Sequence, residues 1–283
     1  MMKAQYNLLL ILLLICCNFI TGCGKLNTEP PNTVERNEDT VSYGVFLGLD
    51  PEDISRTDAY DIIVIDAQYF TEEEISSLHE KGKTVYTYLN VGSLEEYRDY
   101  YKDYSYLSIG VYENWEDERW IDVSDPSWIE FMGELSECLA AKGVDGFFVD
   151  NLDVYYEYPE KNIYDGLYTI MENLYDTGKE IIVNGGDRYV TEYLHEKGKS
   201  PSVISGVNQE TVFSQIYFDE NEFGRADEDD EEYFKEYIEE CHDYGLDIYL
   251  LEYTTDSELI DLIDRYCQEH NYLYYISDSL ELE

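Results

Sequence analysis

The sequence predicts a single (β/α)8 TIM barrel of the α/β class, in which the last helix is missing or replaced. Eight short apolar runs alternate with helical patterns along the chain, which favours a parallel sheet covered by helices. Several runs, such as residues 62–65, are unbroken, as is typical of strands buried on both faces. The length of 283 residues suits one such barrel.

The predicted strands follow one another from residue 43 to residue 277, and most of them end in a polar residue. They are expected at Tyr43–Leu49, Asp61–Asp66, Thr84–Asn90, Gly146–Asp150, Glu180–Asn184, Val203–Asn208, Asp247–Glu252 and Tyr272–Ser277. In a barrel of this kind the carboxyl ends of all strands meet at one face, where active sites lie. The polar strand ends are therefore expected to share one rim.

Helix signals occur between these strands. Residues 71–74 form a capping box, and that helix is expected to stop at Gly82. The Asp-Pro pair at 125–126 predicts the start of a helix that runs to Gly143. Apolar stripes predict further helices around residues 171–175, 234–241 and 259–266. Because the chain ends soon after the eighth predicted strand, the closing helix is expected to be absent or replaced by N-terminal residues.

The N-terminus predicts an export signal over residues 1–22. Lys3 precedes an apolar core that is too short to span a bilayer as a mature helix, and the run Ile-Thr-Gly-Cys that ends at Cys23 resembles a bacterial lipoprotein signal. This would leave a lipidated Cys23 with a flexible tether over residues 23–42, and the barrel domain over residues 43–283. We therefore expect a protein anchored by Cys23 alone to the extracellular face of a bacterial membrane. A plain secretory signal or an uncleaved anchor is the alternative.

The chain is strongly acidic. Asp and Glu number 63 against 18 Lys and Arg, which gives a formal charge of −45. Such a surface repels nucleic acid and anionic lipid headgroups, and it attracts cations over roughly 10 Å at moderate salt. Two interpretations stay open: solubility in a salty or extracellular medium, or capture of a cationic polymer.

Cysteine and histidine usage does not favour a metal, a cofactor or histidine catalysis. Three cysteines, an odd number, follow the predicted lipidation site in helical patterns and are expected to be buried, inert thiols: Cys138, Cys241 and Cys267. The four histidines are expected in the last turns of helices, at the barrel end opposite the active face: His79, His195, His242 and His270. Residues 219–224 partly fit a calcium loop, but Phe223 stands where an oxygen ligand is needed, so a mobile acidic loop is favoured.

Carboxylates and amides at the strand ends are the remaining candidates for chemistry. They are Asp66, Asn90, Asp150, Asp153, Asn184, Glu210 and Glu252. Each of them alone could cap the following helix, but together they are expected to converge on one rim, where crowding raises the pKa of some carboxyl groups. Two carboxylates placed there are the minimum for glycoside hydrolysis. The long, tyrosine-rich segment Ser93–Ser124 is expected on the same face, either to stack on sugars or to pack onto the barrel.

Several motifs resemble glycoside hydrolase family 114, the endo-α-1,4-polygalactosaminidase family with its related bacterial extracellular proteins. They are Tyr-Leu-Asn-Val-Gly-Ser at 88–93, Trp-Ile-Asp-Val at 120–123, Asp-Gly-Phe-Phe-Val-Asp-Asn-Leu-Asp at 145–153, the strand ending at Asn184, and Gly-Val-Asn-Gln-Glu at 206–210. By this resemblance Asp150 matches the catalytic aspartate and Glu210 the catalytic glutamate. Asp66, Asn90, Asp153 and Asn184 match positions in the same cleft. Further substrate contacts are expected from Tyr88, Trp120, Asn151, Gln209, Glu252 and Tyr253.

The function expected from residues and resemblance together is hydrolysis of an α-1,4-linked galactosamine or N-acetylgalactosamine polysaccharide. Asp150 would be the nucleophile and Glu210 the acid and base of a retaining mechanism, without metal or cofactor. A partly deacetylated polymer of this kind is cationic and would be attracted to the acidic enzyme. Phe148 and Val149 stand where fungal-type members carry an acid and a proline, as in the bacterial branch. The alternatives are a non-catalytic barrel that binds cationic glycans and a glycosidase that acts on another amino-sugar linkage.

Overall fold

The structure, a computed structural model, describes residues 41–113, 115, 117–198, 202–218, 220 and 222–283. The predicted lipoprotein signal, the lipidated Cys23 and the tether up to residue 40 lie outside these residues. Asp219 and Asn221, which belong to the predicted calcium loop or mobile loop, lie outside them as well. The domain boundaries at residues 22 and 42 therefore stay predictions.

Eight parallel strands form one sheet in chain order. We number them β1 (Tyr43–Phe46), β2 (Ile62–Ile65), β3 (Thr84–Asn90), β4 (Gly146–Asp150), β5 (Glu180–Asn184), β6 (Gly206–Glu210), β7 (Asp247–Tyr253) and β8 (Leu273–Ser277). Each strand pairs with the next, and β8 lies beside β1, so that the barrel is nearly closed. The predicted (β/α)8 architecture is confirmed.

Alternating residues of these strands fill two separate cores. The outward-facing side chains pack against the helices in a large apolar cluster. The inward-facing side chains form a second cluster that is rich in tyrosine, with Tyr43, Tyr86, Tyr88, Tyr249 and Tyr253 among its members. Tyrosine carries a polar tip, and the hydroxyls near the carboxyl ends of the strands therefore reach the mouth of the barrel.

Within the described residues, six longer helices cover the sheet. They are α1 (Glu72–Glu80), α2 (Pro126–Ala141), α3 (Lys161–Asp176), α4 (Asp187–Lys197), α5 (Glu228–Tyr244) and α6 (Ser257–His270), while a 3₁₀ helix (Pro51–Thr57) joins β1 to β2. The predicted capping box begins α1, and Asp125 caps α2 with Pro126 in its first turn. All four histidines lie in the last turns of helices, as predicted.

No helix follows β8 among the described residues. Residues 278–283 instead turn across the barrel mouth, where the Gly48 amide donates to the Leu282 carbonyl at 3.2 Å. The Leu282 side chain is buried in the inner cluster. A Cβ on Gly48 would lie 2.2 Å from the Glu281 carbonyl oxygen, so only glycine allows this close approach.

The segment between β3 and β4 is more ordered than a loop. It contains a three-stranded antiparallel sheet in which Glu118–Ile121 lies between Ser93–Glu95 and Ser108–Val111. Its tyrosines divide between packing onto the barrel and facing the carboxyl ends of the strands, while their stacking on sugars stays a prediction. Tyr104 stacks on Phe131 of α2, whereas others face the active end of the barrel.

Three smaller expectations need correction. Strand β6 begins at Gly206 rather than Val203, so Glu210 is its last residue. Residues 222–224 of the predicted acidic loop belong to a strand, Glu222–Arg225, which pairs with Ser214–Tyr217. Cys241 and Cys267 are buried, but Cys138 is exposed because the buried stripe of α2 passes beside it. Among the described residues, no helix has the length and apolar character needed to cross a membrane.

Candidate active site

A cleft of about 840 Å³ opens at the carboxyl ends of the barrel strands. Its described lining contains nine carboxyl groups: Asp66, Glu95, Glu118, Asp150, Asp153, Asp187, Glu210, Asp230 and Glu281. Arg98 is the one Lys or Arg side chain in that lining. Exposed aromatic rings, among them Tyr97, Tyr156 and Tyr233, complete the wall. Aromatic faces and convergent polar groups are what a sugar-binding cleft requires.

Asp150 and Glu210 face each other across one amide. They are the last residues of β4 and β6, and Asn184 is the last residue of the strand between them. Nδ2 of Asn184 donates to Oδ1 of Asp150 at 2.9 Å and to Oε1 of Glu210 at 2.7 Å. These two carboxyl oxygens therefore lie no farther apart than the sum of the two distances, 5.6 Å.

A tyrosine binds the second oxygen of each carboxyl group. The Tyr88 hydroxyl donates to Oδ2 of Asp150 at 3.0 Å, and the Tyr253 hydroxyl donates to Oε2 of Glu210 at 3.1 Å. Both tyrosines are buried, while both carboxylate residues are half-buried. The pair is thus held rigidly from below and stays open to the cleft.

The surroundings of the two carboxyl groups give them different tendencies to ionise. Burial raises the pKa of Asp150, against the hydrogen bonds that it accepts from Asn184, Tyr88 and the Asn151 amide. Burial and the Asp150 charge raise the pKa of Glu210 to about 7, against the bonds from Asn184 and Tyr253. Hydrogen bonds to the charged form favour ionisation, whereas a neighbouring like charge opposes it. Asp150 is therefore suited to stay ionised while Glu210 holds a proton.

The backbone turns abruptly after each of these carboxylates. Asn151 has φ 64° and Thr211 has φ 54°, a left-handed conformation that is uncommon for residues with a Cβ. The Asn151 side chain is held there because it donates to Oγ of Ser93 at 3.1 Å and accepts from the Tyr112 hydroxyl at 3.0 Å. Asp153 follows closely, and burial together with the Asp150 charge raises its pKa to about 7.

An ion-pair cluster in the wall of the cleft joins three residues. Arg98 donates from Nη1 to Oδ2 of Asp66 at 2.6 Å and from Nε to Oε2 of Glu95 at 2.7 Å, and all three side chains are almost fully buried. The Tyr88 hydroxyl, which donates to Asp150, also lies 3.3 Å from Oε1 of Glu95, so its one hydrogen is shared between the two carboxylates and links the cluster to Asp150. Burial raises the pKa of Asp66, and the Arg98 charge opposes this rise.

Sequence reasoning missed Glu95, Arg98 and Glu118. All three lie in the segment between β3 and β4, whose sequence is distinguished by its tyrosines rather than by its charges. The spacing of Glu95 and Arg98 by three residues was a usable signal for an ion pair. Burial raises the pKa of Glu118 to about 8, although its bond from the Ser93 hydroxyl opposes the shift, so a third carboxyl group with a raised pKa faces the cleft.

Most of the predicted site residues do line this cleft. Those that do are Asp66, Tyr88, Asp150, Asn151, Asp153, Asn184, Gln209, Glu210 and Tyr253. The buried Oε1 of Gln209 has no hydrogen-bond partner among the described residues, so the side chain can still accept one bond. Within the same residues, no group of three His, Cys, Asp or Glu side chains is arranged to hold a metal ion.

Three predicted site residues lie elsewhere. Asn90 is buried and closes the turn after β3, where it exchanges hydrogen bonds with Ser93. Trp120 is buried behind Tyr112, on which it stacks with ring centroids 4.1 Å apart. Glu252 is fully buried, and its carboxylate accepts bonds from the Ser214 hydroxyl and from nearby backbone amides. In each case the polar or aromatic group of the residue already contacts a partner within the protein.

The chain is similar to known proteins in sequence and in fold. The model of glycoside-hydrolase family GH114 matches residues 26–177. MJ1477, an uncharacterized protein of Methanocaldococcus jannaschii, is 23% identical over 214 residues, which cover 66% of this chain and 61% of that relative. The chain thus spans less than two thirds of the relative's length.

Two solved structures share the barrel. The glycoside hydrolase domain of PelA from Pseudomonas aeruginosa superposes with a TM-score of 0.72 at 19% identity, covering 85% of this chain and 95% of that one. Aspergillus fumigatus Ega3, solved in complex with galactosamine, superposes with a TM-score of 0.66 at 14% identity, covering 86% and 92%. At these identities the likeness concerns the fold.

Proposed function

Because the chain belongs to glycoside-hydrolase family GH114, we propose that it hydrolyses a galactosamine-type polysaccharide by a retaining, two-carboxylate mechanism. The observation that carries this proposal is the pair of Asp150 and Glu210, bridged by Asn184. Retaining glycosidases separate their carboxyl groups by about 5–5.5 Å, whereas inverting enzymes need about 6.5–9.5 Å to admit a water molecule. The limit of 5.6 Å between the two bridged oxygens supports retention.

In the first step, an ionised oxygen of Asp150 attacks the anomeric carbon. Glu210 gives its proton to the glycosidic oxygen as the bond to the leaving sugar breaks, and a glycosyl ester forms on Asp150. In the second step, Glu210 takes a proton from water, which attacks the same carbon and releases Asp150. Glu210 ends protonated and Asp150 ionised, ready for the next cycle. The pKa of Glu210, raised to about 7, suits both of its tasks near neutral pH.

The electrostatics of the cleft support a cationic substrate. The described lining of the cleft holds nine carboxyl groups and one guanidinium, that of Arg98, which is already paired with Asp66 and Glu95. A polymer with free amino groups carries one positive charge per deacetylated sugar and would be attracted to this surface. Ega3, whose structure contains galactosamine, shares the fold. The substrate proposed here is therefore partly deacetylated α-1,4-linked polygalactosamine.

We also propose that the enzyme works outside the cell, attached by lipid at Cys23. The support is the lipoprotein-like run Ile-Thr-Gly-Cys at residues 20–23 and the polar stretch that follows it. A tether of this kind would let a membrane-bound barrel reach an extracellular matrix. Metabolic labelling with a fatty acid, compared between wild type and Cys23→Ala, tests this part.

The enzymatic proposal is tested by incubating the purified full-length protein with the partly deacetylated polymer, beside Asp150→Asn. Oligosaccharides released by wild type alone would support the proposal. Binding of the polymer without release by either protein would instead indicate a non-catalytic glycan-binding barrel. Release from a β-1,4-glucosamine polymer but not from polygalactosamine would leave a glycosidase with another amino-sugar substrate.

A further inference from the structure

Asn208 is a polar side chain inside the barrel, where apolar and aromatic groups dominate. It is fully buried, and in the sheet register it lies opposite Asn184 on β5 and Tyr249 on β7. A buried amide destabilises a fold unless hydrogen bonds satisfy it. The position of Asn208 therefore indicates a specific task rather than packing.

Asn208 takes part in two hydrogen bonds, one of which connects it to the site. The Tyr43 hydroxyl donates to Oδ1 of Asn208 at 3.1 Å, and Nδ2 of Asn208 donates to Oδ1 of Asn184 at 2.7 Å. Asn184 in turn donates to both carboxyl groups of the pair. We refer to Tyr43, Asn208 and Asn184 as the amide relay.

The carboxylate pair at one end of the amide relay determines how the two amide groups are oriented. An ionised carboxylate only accepts hydrogen bonds, so Asn184 must turn its NH₂ group toward the pair. Its carbonyl oxygen then needs a donor, which is the NH₂ group of Asn208. The carbonyl oxygen of Asn208 needs a donor as well, and the Tyr43 hydroxyl supplies it. Burial raises the pKa of Tyr43 well above its usual value, so this hydroxyl stays protonated.

We propose that Asn208 and Tyr43 are positioning residues, which hold the Asn184 amide in the one orientation that clamps Asp150 and Glu210 together. The inference rests on the proposed function, in which these carboxyl groups are nucleophile and acid. Neither Asn208 nor Tyr43 lines the cleft, so both act through Asn184. The two N–H bonds of one planar nitrogen diverge at a fixed angle and so set the spacing of the carboxyl oxygens.

Loss of the amide relay has a defined electrostatic consequence. A freed Asn184 can turn its carbonyl oxygen toward the pair, which removes two donors from the carboxylates and opposes their ionisation. Both carboxyl groups should then titrate at higher pH. The other titratable groups that face the pair are Tyr43, Tyr88, Glu95, Tyr112, Glu118, Asp153 and Tyr253. Of these groups, Tyr43 alone belongs to the amide relay.

The test compares Asn208→Leu, which removes both bonds at similar volume, and Tyr43→Phe, which removes one hydroxyl. Tyr86→Phe is the matched control: Tyr86 belongs to the same inner cluster, but its hydroxyl donates to Glu180 at the start of β5. In the full-length protein we expect Asn208→Leu to lower kcat about a hundredfold, because the pair loses its spacing, with little change in KM.

Both limbs of the pH–rate profile should move upward by about 0.5–1 unit in Asn208→Leu, and by less in Tyr43→Phe. Tyr86→Phe should keep the wild-type profile. A folded Asn208→Leu with the wild-type profile, or equal effects of Tyr43→Phe and Tyr86→Phe, would overturn the proposal. If Asn208→Leu does not fold, the comparison of the two tyrosine variants decides.

Titration of ¹³C-labelled carboxyl groups by NMR separates this inference from the proposed function, because it requires no turnover. Raised pKa values at Asp150 and Glu210 in the relay variants, in a protein without hydrolysis, would support the amide relay and reject the glycosidase. Unchanged values in an active enzyme would reject the amide relay alone.

Discussion

The Tyr253 hydroxyl donates a 3.1 Å hydrogen bond to Oε2 of Glu210, the oxygen that Asn184 leaves free. Tyr253 is the last residue of β7, and Glu210 is the last residue of the neighbouring strand. A donor at this oxygen favours the ionised carboxylate, whereas burial and the Asp150 charge favour the protonated form. The pKa of about 7 is the balance of these opposing effects.

Tyr253→Phe should therefore raise the pKa of Glu210 and move the basic limb of the kcat profile to higher pH. The acidic limb, which reports ionisation of Asp150, should stay in place. Tyr88→Phe is the mirror experiment, since Tyr88 donates to Asp150: it should move the acidic limb upward and leave the basic limb unchanged. Each shift should be about one unit or less. Shifts of both limbs in both variants would show that the two carboxyl groups titrate as one coupled unit.

If the proposed retaining mechanism holds, Asp150→Ala, which leaves room for a small nucleophile, and Glu210→Gln should fail at different steps, which azide can distinguish. Without Glu210, azide can still attack the glycosyl ester on Asp150, and the glycosyl azide keeps the configuration of the substrate. Without Asp150, azide can only replace the nucleophile, and the product is inverted. We expect losses of about 10²–10⁴-fold in kcat for Glu210→Gln on polymer, and smaller losses on aryl glycosides that need no acid. NMR of the azide products would contradict the assignment if the two configurations were exchanged.

The barrel could be predicted from sequence because its signals are local. Apolar runs, caps and strand ends depend on neighbouring residues, and they also placed Asp150 and Glu210 at the rim. The strand-end amides show where this reasoning stops. Asn90 finds Ser93 three residues later and closes a turn with it, whereas Asn184 is followed by two glycines that offer no side-chain partner. Of these two amides, only Asn184 is left to bridge the carboxylates.

Partners that are distant in sequence could not be predicted. Glu252 looks like any other strand-end acid until the fold brings Ser214 to it, 38 residues away along the chain. Arg98 reaches Asp66 across 32 residues. Asn208 lies within a recognised motif, yet its importance depends on Tyr43, which is 165 residues distant. Such pairs form only when the barrel closes, and a single sequence does not show which distant residues this closure brings together.

Arg98→Leu should destabilise the protein by about 3–5 kcal/mol at neutral pH, because it leaves two buried carboxylates, Asp66 and Glu95, without their counter-charge. The loss should shrink as the pH falls through the raised pKa of Asp66, since protonation removes its buried charge. Arg225→Leu is the control: its ion pair with Glu231 is exposed on the arginine side and should be worth less than about 1 kcal/mol. Urea unfolding at several pH values measures both. Equal effects of the two variants would contradict a stabilising role for the buried cluster.

Glu252→Gln tests whether this carboxyl group supports the fold or contacts sugar. Burial raises the pKa of Glu252 to about 7 in the folded protein, above its value in the unfolded chain. Its contribution to stability is therefore present at acidic pH and is lost as the pH rises through about 7. Glutamine does not titrate, so the fall in unfolding free energy between pH 5 and 8 should be shallower in the variant, by up to about 3 kcal/mol. KM should not change, because Glu252 does not line the cleft. A higher KM, with an unchanged pH dependence of the unfolding free energy, would instead support the sugar contact that the sequence predicts.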